Sequence, residues 1–120
     1  MMKLILEDQR MKLIAQGRAT SAAQSEGADE PDHMPIVKLF TPDANCTWLI
    51  SELDPDDPDL AFGLCDLGFG CPELGSVRIS EIAGLRGAFG LPPERDRHFS
   101  ADRSLTAYAD LARQNGRIIA

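Results

Sequence analysis

The residues with the clearest chemical potential are carboxylates concentrated in one short run. Residues 54–59 read Asp-Pro-Asp-Asp-Pro-Asp. Carboxylate oxygens are the ligands that Ca²⁺ prefers, but an EF-hand loop also needs a glycine near its centre and a glutamate at its last position. The corresponding residues here are Asp59 and Cys65. The run is therefore not an EF-hand, although Asp54, Asp56 and Asp57 could still hold a divalent cation in another geometry.

This carboxylate run is compatible with two classes of function. The first is a non-enzymatic binding protein, in which the run docks onto a basic partner protein. The alternative is a small metal-dependent hydrolase or nuclease that uses the carboxylates of residues 54–59 together with His98. The chain has no P-loop and no Gly-x-Ser-x-Gly nucleophile motif. We therefore favour the binding protein, and we expect no catalytic residue, no metal site and no cofactor.

The run lies within a longer acidic stretch. Between Lys38 and Arg78 there are eight acids and no basic residue, whereas the rest of the chain is near neutral, and the net charge is −7. A field of one sign raises the association rate with basic surfaces. The alternative is that the charges are merely solvated and keep sheet edges apart. The predicted docking residues are Glu52, Asp54, Asp56, Asp57 and Asp59.

The composition limits the classes of partner. A pI near 4.7 disfavours a broad nucleic-acid surface, so direct nucleic-acid binding is not expected. No apolar run approaches the roughly 20 residues of a membrane span, and the first residues lack the apolar core of a signal peptide. We therefore predict a cytoplasmic protein without membrane contact. One loose cluster could contact phosphates, the acidic surface of a second copy of the chain, or neighbouring acids: Arg86, Arg95, Arg97 and Arg103.

The cysteines show no spacing typical of a covalent or metal framework. They stand at positions 46, 65 and 71, an odd number without a Cys-x-x-Cys pair. A disulfide scaffold and a closed zinc site both favour paired spacing. The pattern therefore predicts reduced, mostly buried thiols.

Hydrophobic patterns predict the elements that must position these residues. A helix is expected over residues 1–18 and should end at Gly17. Residues 19–34 carry no apolar period and predict a mobile acidic linker. Further helices are expected at 81–86 and 105–115, and a charged edge strand or loop at 94–99. Strands with intervening turn signals are predicted at 36–40, 46–53, 60–67 and 74–80.

The order of these elements indicates the fold class. Consecutive strands without a helix between them favour an antiparallel arrangement over parallel units. We therefore predict one α+β domain over residues 1–120, with its body at 35–120 and a sheet of about four strands flanked by N- and C-terminal helices. Side-chain alternation places Trp48 and Ile50 on one face of the sheet and Leu49 on the other. The predicted core comprises Trp48, Leu49, Phe62, Leu64, Val77, Ile79, Leu105 and Tyr108.

Several segments together resemble a known family. They are VKLFTPD (37–43), TWLISELDPDDPDLAFGLCDLGFGCPELG (47–75), ERDRHF (94–99) and SLTAYA (104–109). The chain resembles the DUF2958 family over most of its length. The resemblance implies no catalytic residues. It does imply a context, because such small proteins are commonly encoded on plasmids, phages and integrative elements, whose accessory proteins often counter host defences. An anti-defence inhibitor is therefore one expectation.

Overall fold

The computed structural model describes residues 3–120, so residues 1 and 2 of the predicted N-terminal helix lie outside the described residues. The predicted start was too early, because residues 3–6 precede the helix. The helices are α1 (Glu7–Glu26), α2 (Ile79–Ala83) and α3 (Leu105–Asn115). The strands are β1 (Val37–Phe40), β2 (Thr47–Leu53), β3 (Leu60–Asp66), β4 (Glu73–Arg78) and β5 (Glu94–Arg95). The predicted boundaries of the first four strands are therefore correct to within two residues, and those of α3 are correct.

The strands described in residues 3–120 form one antiparallel sheet in the order β4-β3-β2-β1-β5. The prediction of an α+β fold with flanking helices is confirmed, with five strands rather than about four. The additional strand is β5, which pairs with the outer edge of β1 through Leu39 with Arg95 and Phe40 with Glu94. Because successive strands run in opposite directions, the β1–β2 and β3–β4 turns share one end of the sheet. The β2–β3 turn, which holds residues 54–59, lies at the other end.

Each face of the sheet is covered by a different helix, as the alternation of β2 predicts. Trp48 and Ile50 pack with Leu13 of α1 in one hydrophobic cluster. Leu49 lies on the opposite face and packs with Tyr108 of α3 in a second cluster. All five side chains are at most 4 % exposed. The sheet therefore separates two apolar layers, and both helices are needed to cover it.

The predicted end of α1 at Gly17 was wrong. The helix continues to Glu26 and ends at Gly27, whose φ of 67° is the left-handed conformation of a helix C-cap. Gly17 is instead a buried contact between helix and sheet, where a Cβ atom would overlap the carbonyl oxygen of Leu53. The small side chain of Ala23 continues this close approach. Small residues thus hold the second half of α1 against the sheet without an apolar period.

The remainder of the predicted linker is an extended segment, residues 28–34, which we call the strap. It is hydrogen bonded to the start of α3. The Leu105 amide donates to the carbonyl oxygen of His33 at 2.8 Å, and the Thr106 amide donates to Asp32 Oδ1 at 3.2 Å. The Thr106 hydroxyl also donates to Asp32, and these bonds hold the pKa of Asp32 below its ordinary value. The strap therefore connects the end of α1 to the helix on the opposite face.

The prediction that Phe62 lies in the core is wrong, because α3 does not reach it. The cluster beneath α3 includes Leu49 and Leu64 but stops short of Phe62, which is 37 % exposed. The pairing register of β2 and β3 also shifts between Ile50 and Glu52, which inserts Ser51 as a bulge beside Phe62. Val77 and Ile79 are half-buried, and the other predicted core residues are buried.

Candidate functional site

The carboxylate run forms a compact double turn between β2 and β3. Asp54 Oδ1 accepts the amide of Asp56 at 2.8 Å, and the Asp54 carbonyl accepts the amide of Asp57 at 3.2 Å. The Leu60 amide then donates to the Asp57 carbonyl at 2.9 Å, and the Asp54 amide donates to the Leu60 carbonyl at 2.9 Å. Pro55 and Pro58 fix φ within these turns. The sequence therefore builds an ordered loop that displays Asp54 and Asp56.

The other two aspartates of the loop have partners. Arg78 of β4 contacts Asp57 at 3.0 Å and Asp59 at 3.6 Å. Asp59 also accepts the backbone amide of Ser80 at 2.9 Å and its hydroxyl at 2.7 Å. These Ser80 bonds, with a smaller contribution from Arg78, hold the pKa of Asp59 below its ordinary value. Asp59 thus positions the start of α2, and the field of the loop arises mainly from Asp54 and Asp56.

A second group of carboxylates extends this surface to β2 and the strap, beside α1. Glu30, Glu52 and Asp54 line one cavity of about 240 Å³. The hydroxyl of Thr20 donates to Glu52 Oε1 at 3.1 Å and lies 3.2 Å from His33 Nε2. Glu30 lies in the segment predicted as a linker, so it was missing from the predicted docking residues. We call the combined surface the acidic end: Glu30, Glu52, Asp54, Asp56, Asp57 and Asp59.

Burial raises the pKa of Glu52 above its ordinary value, and the bond from Thr20 offsets only part of this increase. An acid with a raised pKa in the folded state lowers stability once the pH exceeds its unfolded pKa, because its charged form is disfavoured. Glu52→Gln is therefore expected to raise Tm at neutral pH. The gain should shrink as the pH falls through the pKa of Glu52.

Thermal unfolding from about pH 4 to about pH 8 tests this expectation. Glu73→Gln is the matched control, because Glu73 is exposed and should give no comparable gain. A Tm difference for Glu52→Gln that is independent of pH would contradict the assignment.

Two acids of the basic-free stretch serve inside the molecule rather than on the docking surface. Asp66 is only 4 % exposed and accepts the amides of Gly68 at 2.9 Å and Ile118 at 3.0 Å. Asp43 accepts the amides of Phe89 at 2.7 Å and Leu91 at 3.2 Å. The Asp66-Leu-Gly68 spacing is the local signal for the first role, since aspartate commonly bonds the amide two residues on. No local pattern indicates the second role.

Metal-ligating residues do not converge in the part of the chain that the structure describes. Within residues 3–120 no group of three or more His, Cys, Asp or Glu side chains could hold a metal ion. The hydrolase or nuclease alternative stays a prediction, and equilibrium dialysis with divalent cations tests it. The prediction of buried cysteines is only partly correct. Cys46 and Cys65 are half-buried, and burial raises the pKa of the Cys65 thiol, whereas Cys71 is exposed.

A second, larger cavity is an open groove on the face covered by α3, over β1 and β5. Its volume is about 970 Å³. Lys38 and Phe40 of β1 line it, as do the β1–β2 turn, the segment after β5 and the chain that follows α3. Lys38 Nζ lies 3.6 Å from Asp96 and donates to the Ala120 carbonyl at 2.7 Å. We call this cavity the β1–β5 groove.

Most of the predicted arginine cluster is committed to local acceptors. Arg103 pairs with Asp102 at 2.9 Å. Arg86 donates to the carbonyl of Ala83 at 3.0 Å, and Arg95 donates to that of Lys3. Arg97 has no side-chain partner among residues 3–120, and it lines the β1–β5 groove. The pattern analysis missed Arg117, which follows α3, lines the same groove and likewise lacks a side-chain partner among the described residues.

The two most exposed aromatic side chains lie on loops held to the β1–β2 turn. Phe69 and Phe89 are 83 % and 85 % exposed. Phe89 belongs to the loop that Asp43 fixes through two amides. Phe69 follows Gly68, whose Cα packs so closely on Asn45 that a Cβ atom would lie 2.9 Å from the Asn45 Cβ. Both aromatic rings are therefore displayed by ordered loops near one end of the sheet.

Comparison with known proteins identifies a family but no activity. The profile of a family described as protein of unknown function, DUF2958, matches residues 4–119. No curated protein and no solved structure matches the chain. Among the described residues, no helix is both long and apolar enough to span a membrane.

Proposed function

Because the chain belongs to the DUF2958 family of proteins of unknown function, we propose its role from its own surface, as a non-enzymatic accessory protein that docks onto a basic partner protein. The docking surface is the acidic end. In this proposal the chain acts in the cytoplasm, on behalf of a mobile genetic element. Its partner is a host protein whose basic surface normally holds nucleic acid, and docking there would make the chain an anti-defence inhibitor.

The charge balance of the acidic end carries this proposal. Six carboxylates from the strap, β2 and the β2–β3 turn share this end of the molecule, and Arg78 pairs with two of them. Charges of one sign on an ordered loop steer association with an oppositely charged surface. If the acids were merely solvated, an ordered loop would not be needed to display them. Hydrogen bonds nevertheless fix the loop that displays Asp54 and Asp56.

Asp54→Asn/Asp56→Asn is the variant that tests docking. It removes two charges, while the side-chain oxygen of the asparagine introduced at position 54 can still accept the amide of residue 56. Asp57 and Asp59 are left intact because they hold Arg78 and Ser80. We expect binding to the basic partner to weaken by about tenfold and to depend less on salt. The measurement is affinity capture from nuclease-treated host lysate, followed by titration of the captured protein.

The control is Asp8→Asn/Asp110→Asn, which removes the same charge from two exposed acids on α1 and α3. The control should bind as the unchanged protein does. Equal binding by the folded variant at positions 54 and 56 would eliminate the acidic end as the docking surface. Loss of the captured protein on nuclease treatment would instead favour a nucleic-acid-mediated contact.

A further inference from the structure

The β1–β5 groove holds a set of polar side chains that no internal contact uses. Arg97 and Arg117 stand at two of its walls, on the segment after β5 and the chain after α3, and neither has a side-chain partner among residues 3–120. Glu94 of β5 also lines the groove without a side-chain partner in that range. The other lining acids are engaged, since Asp66 accepts two amides and Asp96 accepts the His98 amide and faces Lys38. The free charged groups are thus two guanidinium groups and one carboxylate, and the polar side chains of Asn45, Thr47 and His98 also line the groove without a side-chain bond in that range.

We propose that the β1–β5 groove binds a nucleotide. Arg97 and Arg117 would hold the phosphate, because a guanidinium group offers paired donors that match phosphate oxygens. Half-buried Phe40 provides an aromatic surface in the groove for the base. Glu94 would accept a hydrogen bond from a ribose hydroxyl or a base amino group. The three free charged groups and the aromatic ring therefore correspond to the parts of one ligand.

The size and shape of the groove agree with this ligand class. A volume of about 970 Å³ lies at the upper end of the range of small-molecule sites and exceeds what an inorganic anion needs. A second aromatic ring is that of Phe69, which is exposed and lies on the loop between the lining residues Gly68 and Gly70, near the rim. The nucleotide could be free or part of a single strand. This confined site needs no broad basic surface, and it is independent of docking through the acidic end.

Calorimetric titration of the full chain distinguishes the possible ligands. The probes are adenosine monophosphate, ribose 5-phosphate, inorganic phosphate and an oligoadenylate of about ten ribonucleotides, which carries the same base and sugar as the monophosphate. We expect adenosine monophosphate or the oligonucleotide to bind at least about tenfold more tightly than the two probes without a base. Tighter binding of the oligonucleotide would identify a single strand as the source, and tighter binding of the mononucleotide would identify a free nucleotide.

Arg97→Gln/Arg117→Gln tests the assigned residues. We expect the affinity for the better probe to fall by about tenfold or more. If the oligonucleotide is that probe, the slope of log K against log salt should become shallower by about 1.4, the value for two lost phosphate contacts on a single strand. Phe40→Leu should weaken base-containing probes while leaving inorganic phosphate unchanged.

Arg10→Gln/Arg18→Gln is the matched control, because it removes the same charge from exposed positions on α1, across the sheet from the groove. It should keep the affinity of the unchanged protein. The proposal is overturned if the base-containing probes bind no more tightly than inorganic phosphate. It is also overturned if the control loses as much affinity as the folded groove variant.

Discussion

Gly17→Ala is expected to lower Tm by about 10 °C, although alanine is the better helix former. Helix propensity alone would raise stability by about 1 kcal/mol. The alanine Cβ would, however, overlap the carbonyl oxygen of Leu53, a backbone atom of β2 that cannot rotate away. Relieving the overlap requires α1 to move off the sheet, which loosens the cluster around Leu13 and Trp48. A net loss of about 3 kcal/mol is expected for such overpacking, and it corresponds to this shift in Tm for a domain of this size.

Thermal and urea unfolding of Gly17→Ala measure this loss, with Gly75→Ala as the control. Gly75 lies in β4, and a Cβ atom there would meet nothing within 4 Å. The control should therefore unfold close to the unchanged protein. A Tm for Gly17→Ala at or above that of the unchanged chain would mean that α1 does not approach β2 as closely as described.

Asp66→Ala is expected to lower the free energy of unfolding by about 2 kcal/mol or more. A buried amide left without an acceptor costs about 1–3 kcal/mol, and the bond from Ile118 is buried whereas that from Gly68 is partly buried. Its carboxylate accepts two amides from distant parts of the chain, Gly68 in the β3–β4 turn and Ile118 after α3. Alanine would remove the acceptor of both amides, and the side chain at position 66 is almost fully buried. Because the bond from Ile118 is lost, the chain that follows α3 should also become more mobile.

A graded series strengthens this test. Asp66→Asn keeps one acceptor oxygen but turns an amide donor toward the second N–H group, so its stability should lie between those of the unchanged protein and the alanine variant. Glu73→Ala removes an exposed acid of the same stretch and should change stability little. Amide hydrogen exchange at Gly68 and Ile118 provides the local measurement. Unchanged exchange there in Asp66→Ala would contradict the assigned bonds.

The strands could be predicted because their signals are local. β-branched and aromatic runs, proline-containing turns and alternation in β2 each depend on neighbouring residues, and they give the first four strands to within two residues. The second half of α1 has no such signal. Residues 19–26 are small and polar, and their helix is stabilised by contacts with a sheet that the pattern cannot place. Phe62 was placed in the core for the same reason, since the reach of α3 is not encoded locally.

The candidate sites likewise combine features that are local in the sequence with features that depend on the fold. The carboxylates of residues 54–59 form one surface because they are adjacent in sequence, so composition alone reveals them. Glu30 joins that surface only through the return of the chain after α1. Arg97 and Arg117 meet at the β1–β5 groove only because β5 pairs with β1 and the chain after α3 crosses nearby. Charge counting also treats Asp66 as surface charge, whereas its bonds to Gly68 and Ile118 place it inside the fold.

The strap affects the cooperativity with which the molecule unfolds. Its bond between Asp32 and Thr106 joins residues 74 positions apart, so one loop closure encloses all five strands described. The entropic cost of closing that loop is incurred once, and this cost rises only slowly with loop length. Release of the strap would remove both its bonds to the start of α3 and the contact of His33 with Thr20 of α1. The two apolar layers on opposite faces of the sheet therefore gain and lose their covering helices together, as one cooperative unit.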